Sequence, residues 1–117
     1  MKTALLLAMT LLLGNRVFSQ SLTGLWDTGK ENTKVEVTEE NGFYQGAIHS
    51  SGNSKATIGK VIVKAGKVRN KSHFVGKIYA LKKDKWYDAE FYPEGNKLTL
   101  KVSSGWNTKT QEWVRVE

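Results

Sequence analysis

The chain has 117 residues, no cysteine, and 18 basic against 11 acidic residues, which gives a formal charge of +7. This length allows a single domain with a modest core. Without cysteine, neither a disulfide nor a lipoprotein anchor can form, because each needs a thiol. A small exported domain of this kind must be stabilised by its own core and its own hydrogen-bond ladder.

The basic residues are spread along the chain, and the one close cluster is formed by Lys82, Lys83 and Lys85. Nucleic-acid-binding domains concentrate their charge in a patch or stripe. The dispersed pattern instead predicts a solvated, lysine-rich surface with weak attraction to anionic surfaces. We therefore expect no nucleic-acid partner.

The N-terminal residues have the pattern of a secretory signal peptide. Lys2 precedes an apolar run over 4–13, and small or polar residues follow up to Ser19. The run is shorter than the roughly 20 apolar residues that a transmembrane helix needs. The sequence thus predicts a signal peptide over 1–19 and a single secreted or periplasmic domain over 20–117. Without the signal peptide, 16 basic and 11 acidic residues remain, a charge of +5.

The first half of the predicted domain alternates apolar and polar residues over short segments, which is typical of strands. The expected strands are 24–28, 33–38, 43–49 and 60–64. Asn41 and Gly42 predict a two-residue hairpin, because both residue types adopt positive φ with little strain. Gly46, inside a strand, predicts a bend or a close backbone approach. Residues 50–55 are expected to form a loop and 65–67 a turn.

The clearest pattern lies in residues 73–103, where three alternating runs are joined by short polar turns over 82–85 and 93–96. This pattern is typical of an antiparallel meander. The face expected to point inward carries Phe74, Ile78, Ala80, Tyr87, Ala89, Phe91, Leu98, Leu100 and Val102. An irregular connection over 104–109 and a final strand over 111–116 complete the chain.

About eight short strands without a helical period predict an all-β fold, either a sandwich or a barrel. Hairpin after hairpin favours a small antiparallel up-and-down barrel, because closure satisfies both edge strands. Eight strands enclose an interior that is filled by side chains or holds one small ligand. Because the inward-facing residues are bulky, we expect a shallow pocket.

Two end motifs resemble the closed end of a lipocalin or calycin barrel. Gly24 and Trp26 lie on the first predicted strand, and Arg115 lies near the end of the last. In that arrangement the tryptophan closes one end of the barrel and the arginine stacks over it. A guanidinium over an indole face contributes about 0.5–2 kcal/mol. The resemblance implies a lipocalin-like barrel.

Residues 22–117 also resemble the bacterial secreted family catalogued as domain of unknown function 2147. The resemblance rests on the signal peptide and on Gly24-Leu-Trp26, Tyr44-x-Gly46-x-Ile48, Ile58-Gly59, Gly76-Lys-Ile-Tyr79, Trp86-Tyr-Asp-Ala89, Lys97-Leu-Thr-Leu-Lys-Val102 and Gln111-x-Trp113-x-Arg115-Val116. It implies a small barrel in the envelope or outside the cell. Its structural signature positions are Gly24, Trp26, Gly46, Gly76, Gln111, Trp113 and Arg115. It implies no activity, because the family's function is not established.

Candidates for catalysis and metal binding are few. His49 and His73 lie far apart without a His-x-His pair or a carboxylate nearby in sequence, so the spacing does not indicate a zinc site. No serine lies in a nucleophile elbow. We therefore predict no metal and no cofactor.

Asp88 and Glu90 share one strand face about 7 Å apart, and paired carboxylates can perform acid and base catalysis. Lys77 and Lys101 lie on matching faces of the neighbouring strands. Charge pairing on a wet exterior is therefore the simpler interpretation, and we assign no catalytic residue.

The aromatic residues supply the candidate ligand-binding positions. Alternation places Tyr79, Trp86 and Tyr92 on the outer face as a band, and Trp106 lies in a connection, where it either binds a partner or caps the barrel. The sequence favours a non-enzymatic exported barrel that binds a small hydrophobic or amphiphilic ligand or an envelope component. The alternatives are an envelope-acting hydrolase or isomerase that uses the strand carboxylates, and a purely structural or stress-related envelope protein.

Overall fold

The computed structural model describes residues 21–68 and 72–116, so the predicted signal peptide lies outside the described residues. The eight strands are β1 (Gly24–Asp27), β2 (Lys34–Glu40), β3 (Phe43–Ser50), β4 (Val61–Lys67), β5 (Phe74–Ala80), β6 (Lys85–Glu94), β7 (Lys97–Ser104) and β8 (Asn107–Arg115). Each strand pairs antiparallel with the next, and β1 also pairs with β8, so the sheet closes. The predicted all-β, up-and-down barrel is confirmed, and the described residues form no helix.

The register of the meander follows the alternation of the sequence. Phe74 lies opposite Phe91 and Ile78 opposite Tyr87, so the apolar residues of β5 and β6 share the inner face. On the other side of β6, Leu100 lies opposite Phe91. Six of the nine residues expected to point inward are buried in the core. The other three, Ala80, Tyr87 and Val102, line the cavity described below.

Two local features follow from small residues, as expected. Asn41 and Gly42 have φ angles of 55° and 85° and join β2 to β3 as a two-residue hairpin. Gly46 lies at a register shift of β3, where an added Cβ would lie 2.8 Å from the Cβ of Val63 and 2.9 Å from Cγ1 of Val35. The predicted hairpin and the predicted close approach are both confirmed.

Three connections differ from the sequence interpretation. Residues 65–67, expected as a turn, are the end of β4, because Ala65 is buried in the core opposite Gly76. The turn expected over 93–96 is shorter, since β6 continues to Glu94.

The third difference is the segment 104–109, which was expected to be irregular. It forms a tight turn at Gly105 and Trp106, and β8 begins at Asn107. Gly105 makes this turn possible with a φ of 72°. Residues 107–110 are all exposed and polar, so they show no alternation by which a strand could be recognised.

Trp26 and Arg115 form the closed end of the barrel, which we call the base. The Arg115 guanidinium lies 4.2 Å from the centroid of the Trp26 ring, and the indole is fully buried. The indole N–H donates to the carbonyl oxygen of Leu22 at 2.9 Å. The predicted stacking of the late arginine on the first-strand tryptophan is confirmed.

Arg115 also connects three chain segments at the base. Its side chain donates to the carbonyl oxygens of Thr23 at 2.7 Å, Ser21 at 2.8 Å and Gly95 at 3.2 Å. Burial lowers the pKa of the guanidinium, but an arginine still carries its charge at neutral pH. Residues 21–23 are thereby held across the end of the barrel.

Replacing Arg115 by alanine should destabilise the barrel. A hydrogen bond from a charged donor contributes about 1.5–3 kcal/mol, and the cation–π contact contributes about 0.5–2 kcal/mol. Contributions from one side chain are not additive, so the total is smaller than their sum. We expect Arg115→Ala to lower the free energy of unfolding by roughly 3–5 kcal/mol in urea denaturation. Arg115→Lys should lower the free energy of unfolding by less, because lysine keeps the positive charge although it lacks the planar set of donors.

Val114→Ala is the matched control, because Val114 is the adjacent residue and is exposed. It should change the free energy of unfolding by at most about 0.5 kcal/mol. An equally small effect of Arg115→Ala would show that the base does not depend on this side chain.

Two glycines on neighbouring strands should respond oppositely to alanine. At Gly76 an added Cβ would lie 1.8 Å from the carbonyl oxygen of Lys64, whereas at Gly66 nothing lies within 4 Å. We expect Gly76→Ala to lower the free energy of unfolding by at least about 2 kcal/mol through backbone displacement. Gly66→Ala should be neutral or stabilising by about 0.5 kcal/mol. Equal effects in thermal unfolding would contradict the pairing of β4 with β5.

Candidate functional site

Four connections surround the end of the barrel opposite the base. They are residues 28–33, 51–60, 81–84 and 105–106. An up-and-down barrel places every second connection at the same end, so these four share one rim. We call this open end the mouth.

A cavity of about 620 Å³ occupies the barrel at the mouth. Its apolar wall consists of Ile62, Ile78, Leu81, Tyr87, Val102 and Trp113. Ile62, Ile78 and Trp113 are buried, whereas the lysines that line the same cavity are exposed. The cavity therefore has an apolar interior and a polar opening.

The cavity is larger than the shallow pocket expected from the bulky inward-facing residues. Several of those residues lie toward the base: Phe74 is the first residue of β5 and Leu98 the second of β7, both at that end. Trp26 and Leu22 fill the base itself. The half of the barrel near the mouth is left with smaller or half-buried side chains, so space remains there.

The lining of the cavity is positively charged. It includes four lysines, Lys30, Lys82, Lys83 and Lys109, and one acidic residue, Glu31. Lys82 Nζ lies 3.8 Å from the Glu31 carboxylate, and both side chains are exposed, so this pair contributes little stability. The excess of lysine favours an anionic group at the mouth.

Hydrogen bonds orient several polar groups around the cavity. Trp113 donates its indole N–H to Oε1 of Gln111 at 3.3 Å, so the Gln111 amide nitrogen remains a donor at the cavity wall. Thr33 and Ser51 share a hydroxyl–hydroxyl bond of 2.6 Å. Thr28 donates its hydroxyl to the carbonyl oxygen of Thr33 at 3.0 Å. These bonds connect the first two connections of the mouth.

Tyr79 and Trp86, two of the predicted ligand-binding residues, lie opposite each other on β5 and β6. Their rings meet edge to face at 5.4 Å. Lys60 Nζ lies 4.5 Å from the Tyr79 ring centroid, and Lys64 Nζ lies 5.1 Å from that of Trp86. The pair is thus already covered in part by ammonium groups. Tyr79 also reaches the cavity lining.

Tyr92, a third predicted residue, belongs to a separate group near the base. Its ring stacks on His73 at 4.8 Å, and Lys101 Nζ lies 5.3 Å from its centroid. Burial and the Glu90 carboxylate raise the pKa of the Tyr92 hydroxyl. Asp88 and Glu90 occupy the outer positions of β6 between Trp86 and Tyr92, so the three rings form no continuous band.

Trp106, the fourth predicted residue, is at the tip of the turn between β7 and β8 and is 97% exposed. It is absent from the described lining of the cavity, so it does not cap the mouth. Its position at the rim leaves the indole facing solvent.

The paired carboxylates lie on the outside of the barrel. Asp88 forms an exposed ion pair with Lys77 at 2.9 Å, which confirms the predicted charge pairing at this position. Asp88 also borders an outer depression of about 440 Å³, whose described lining does not include Glu90. The two carboxylates therefore do not converge on one cavity. Within the described residues, no three His, Cys, Asp or Glu side chains cluster as metal ligands would.

Sequence reasoning missed most of the residues at the mouth. Lys109 follows the same inward phase as Gln111 and Trp113, but the polar run before position 111 hid the start of β8. Ile62 and its neighbour Val63 are both buried, which strict alternation does not predict. Gly46 pairs with Val63 and the next residue of β3 pairs with Val61, so Ile62 is the extra residue at a register shift and can line the cavity.

No protein-family model matches the chain, and no similar protein was found among curated proteins or solved structures. Within residues 21–68 and 72–116, no helix is long and apolar enough to cross a membrane.

Proposed function

We propose that the protein binds a small anionic amphiphile without transforming it. The apolar part of the ligand occupies the cavity, and its head group lies among the lysines of the mouth. The observation that carries this proposal is the combination of one apolar cavity with four lysines in its lining. An apolar interior alone would suit a neutral ligand, and a basic surface alone would suit a bare anion.

The size of the cavity supports a ligand of low molecular weight. Small-molecule sites usually enclose about 300–1,000 Å³ and combine a largely apolar wall with a few polar groups. The cavity of about 620 Å³ falls inside this range. Burial of an alkyl chain supplies most of the binding energy, at about 25 cal/mol for each Å² removed from water.

The lysines mainly orient the ligand and increase the rate at which it associates with the protein. They are exposed, and an exposed ion pair contributes about 0.2–1 kcal/mol. Together they raise the local concentration of anionic ligands at the mouth. Lysines, one glutamate and two tyrosines are the titratable groups of the described lining, a set that suits anion binding better than acid–base chemistry.

We also propose that the protein acts after export and belongs with the secreted family that its motifs resemble. Cleavage at the predicted signal-peptide end leaves Ser21, whose carbonyl accepts a hydrogen bond from Arg115 at the base. A mature N-terminus near residue 20 is therefore compatible with the sealed barrel. N-terminal sequencing of the protein recovered from the host envelope or medium tests this, and an intact Met1 would contradict it.

The binding proposal predicts selectivity for the sign of the head group. Dodecanoate and dodecyltrimethylammonium have the same alkyl chain and opposite charges. Calorimetric titration should show one dodecanoate site, with binding several-fold weaker at high salt, and dodecyltrimethylammonium should bind at least about tenfold more weakly. Lys109→Glu should weaken dodecanoate binding by about threefold to tenfold.

A filled cavity should abolish binding without loss of the fold. Val102→Trp places a large ring into the cavity, and we expect at least a tenfold loss of dodecanoate affinity. Val75→Trp is the matched control, because Val75 is exposed on the outer face of β5. Unchanged binding by Val102→Trp, or equal loss by both variants, would place the ligand elsewhere.

A further inference from the structure

We propose that the mouth of the barrel docks on an anionic phospholipid bilayer, with Trp106 entering the interfacial layer and the surrounding lysines contacting lipid phosphates. This surface interaction shares Lys30, Lys82 and Lys83 with the lining of the cavity, but it does not require a ligand in the cavity.

Trp106 has the exposure and the support expected of an interfacial anchor. Its side chain is 97% exposed, the highest value among the exposed large hydrophobic residues of the described chain. Ser104 pairs with Asn107 on either side of the two-residue turn that carries it, so the backbone of the turn has a defined place on the rim. An indole combines an apolar body with one N–H donor, a combination that favours the bilayer–water interface.

The mouth of the barrel is strongly basic. The four connections of the mouth, with the strand residues that flank them, hold seven lysines and three acidic residues. The lysines are Lys30, Lys34, Lys55, Lys60, Lys82, Lys83 and Lys85. The mouth thus presents a basic ring around an exposed indole, which complements an anionic lipid surface.

Further features place apolar groups on the same rim. Ile58, in the connection between β3 and β4, is 64% exposed, and Leu81 is half-buried at the edge of the cavity. A lysine-ringed surface with a protruding tryptophan and scattered aliphatic groups matches a membrane interface more closely than an acidic protein, which would pair charge with charge. If the cavity holds an amphiphile as proposed above, docking would place its opening directly against the lipid.

Vesicle co-sedimentation tests the proposal. The full protein should sediment with phosphatidylcholine vesicles that contain phosphatidylglycerol, and not with phosphatidylcholine alone, and added salt should release it. Tryptophan emission should shift to the blue on binding. Lys82→Gln combined with Lys83→Gln should weaken partitioning by roughly 25-fold, about fivefold for each lysine. Trp106→Ser should weaken it by about tenfold or more and remove most of the emission shift.

The opposite end of the barrel supplies the controls. Phe43 is 72% exposed in the hairpin at the base, so Phe43→Ser should leave vesicle binding unchanged. The same holds for Lys67→Gln combined with Lys97→Gln, because both lysines lie on strands at the base. Val102→Trp should retain vesicle binding while it loses dodecanoate, so failure of the cavity site and failure of docking are distinguishable.

Several results would overturn the proposal. Absence of salt-sensitive binding to the anionic vesicles would do so, as would equal losses from Phe43→Ser and Trp106→Ser. Binding to duplex DNA without binding to either vesicle would assign the basic rim to nucleic acid instead.

Discussion

The seam between β1 and β8 determines the rest of the structure. β1 is a strand of four residues, and its register with β8 comprises two residue pairs, Trp26 with Arg115 and Asp27 with Val114. So short a ladder would leave two exposed edges if it opened, and the Arg115 side chain reinforces it with three bonds to backbone carbonyls. One more backbone bond, from the Val116 N–H to the Leu25 carbonyl at 2.7 Å, extends the seam beyond the strands. Closure at this end therefore combines a short backbone ladder with one charged side chain that lies over one buried indole.

Sealing one end gives the barrel two different halves. Large side chains and the segment over 21–23 fill the base, so the free volume collects beneath the mouth. The interior of an eight-stranded barrel is small. If a few of the large aromatic side chains lay nearer the mouth, they would fill the cavity. The connections of the mouth are also rich in lysine. The cavity, the basic rim and the exposed Trp106 all lie at the mouth, and the two proposed interactions both use this end of the barrel.

Much of the fold could be predicted because its signals are local. The meander, the Asn41–Gly42 hairpin and the inward faces follow from period-two alternation and turn chemistry. The closed base was predicted from the lipocalin-like placement of Trp26 and Arg115, not from periodicity.

The cavity could not be predicted, since its volume depends on the height at which each inward residue lies in the closed sheet. Lys109 was missed because residues 107–110 are polar on both faces. The predicted binding roles of Tyr79, Trp86, Tyr92 and Trp106 stay predictions, and their positions divide them into an outer pair, a ring near the base and an exposed tip at the rim.

Chemical-shift mapping by NMR is the most direct measurement of whether the empty half of the barrel is a binding site. On titration with dodecanoate, we expect the largest amide shifts at Ile62, Ile78, Val102 and Gln111, with residues near Arg115 unaffected. Largest shifts around the outer pair Tyr79 and Trp86, with the inward-facing residues unchanged, would contradict a ligand site inside the barrel.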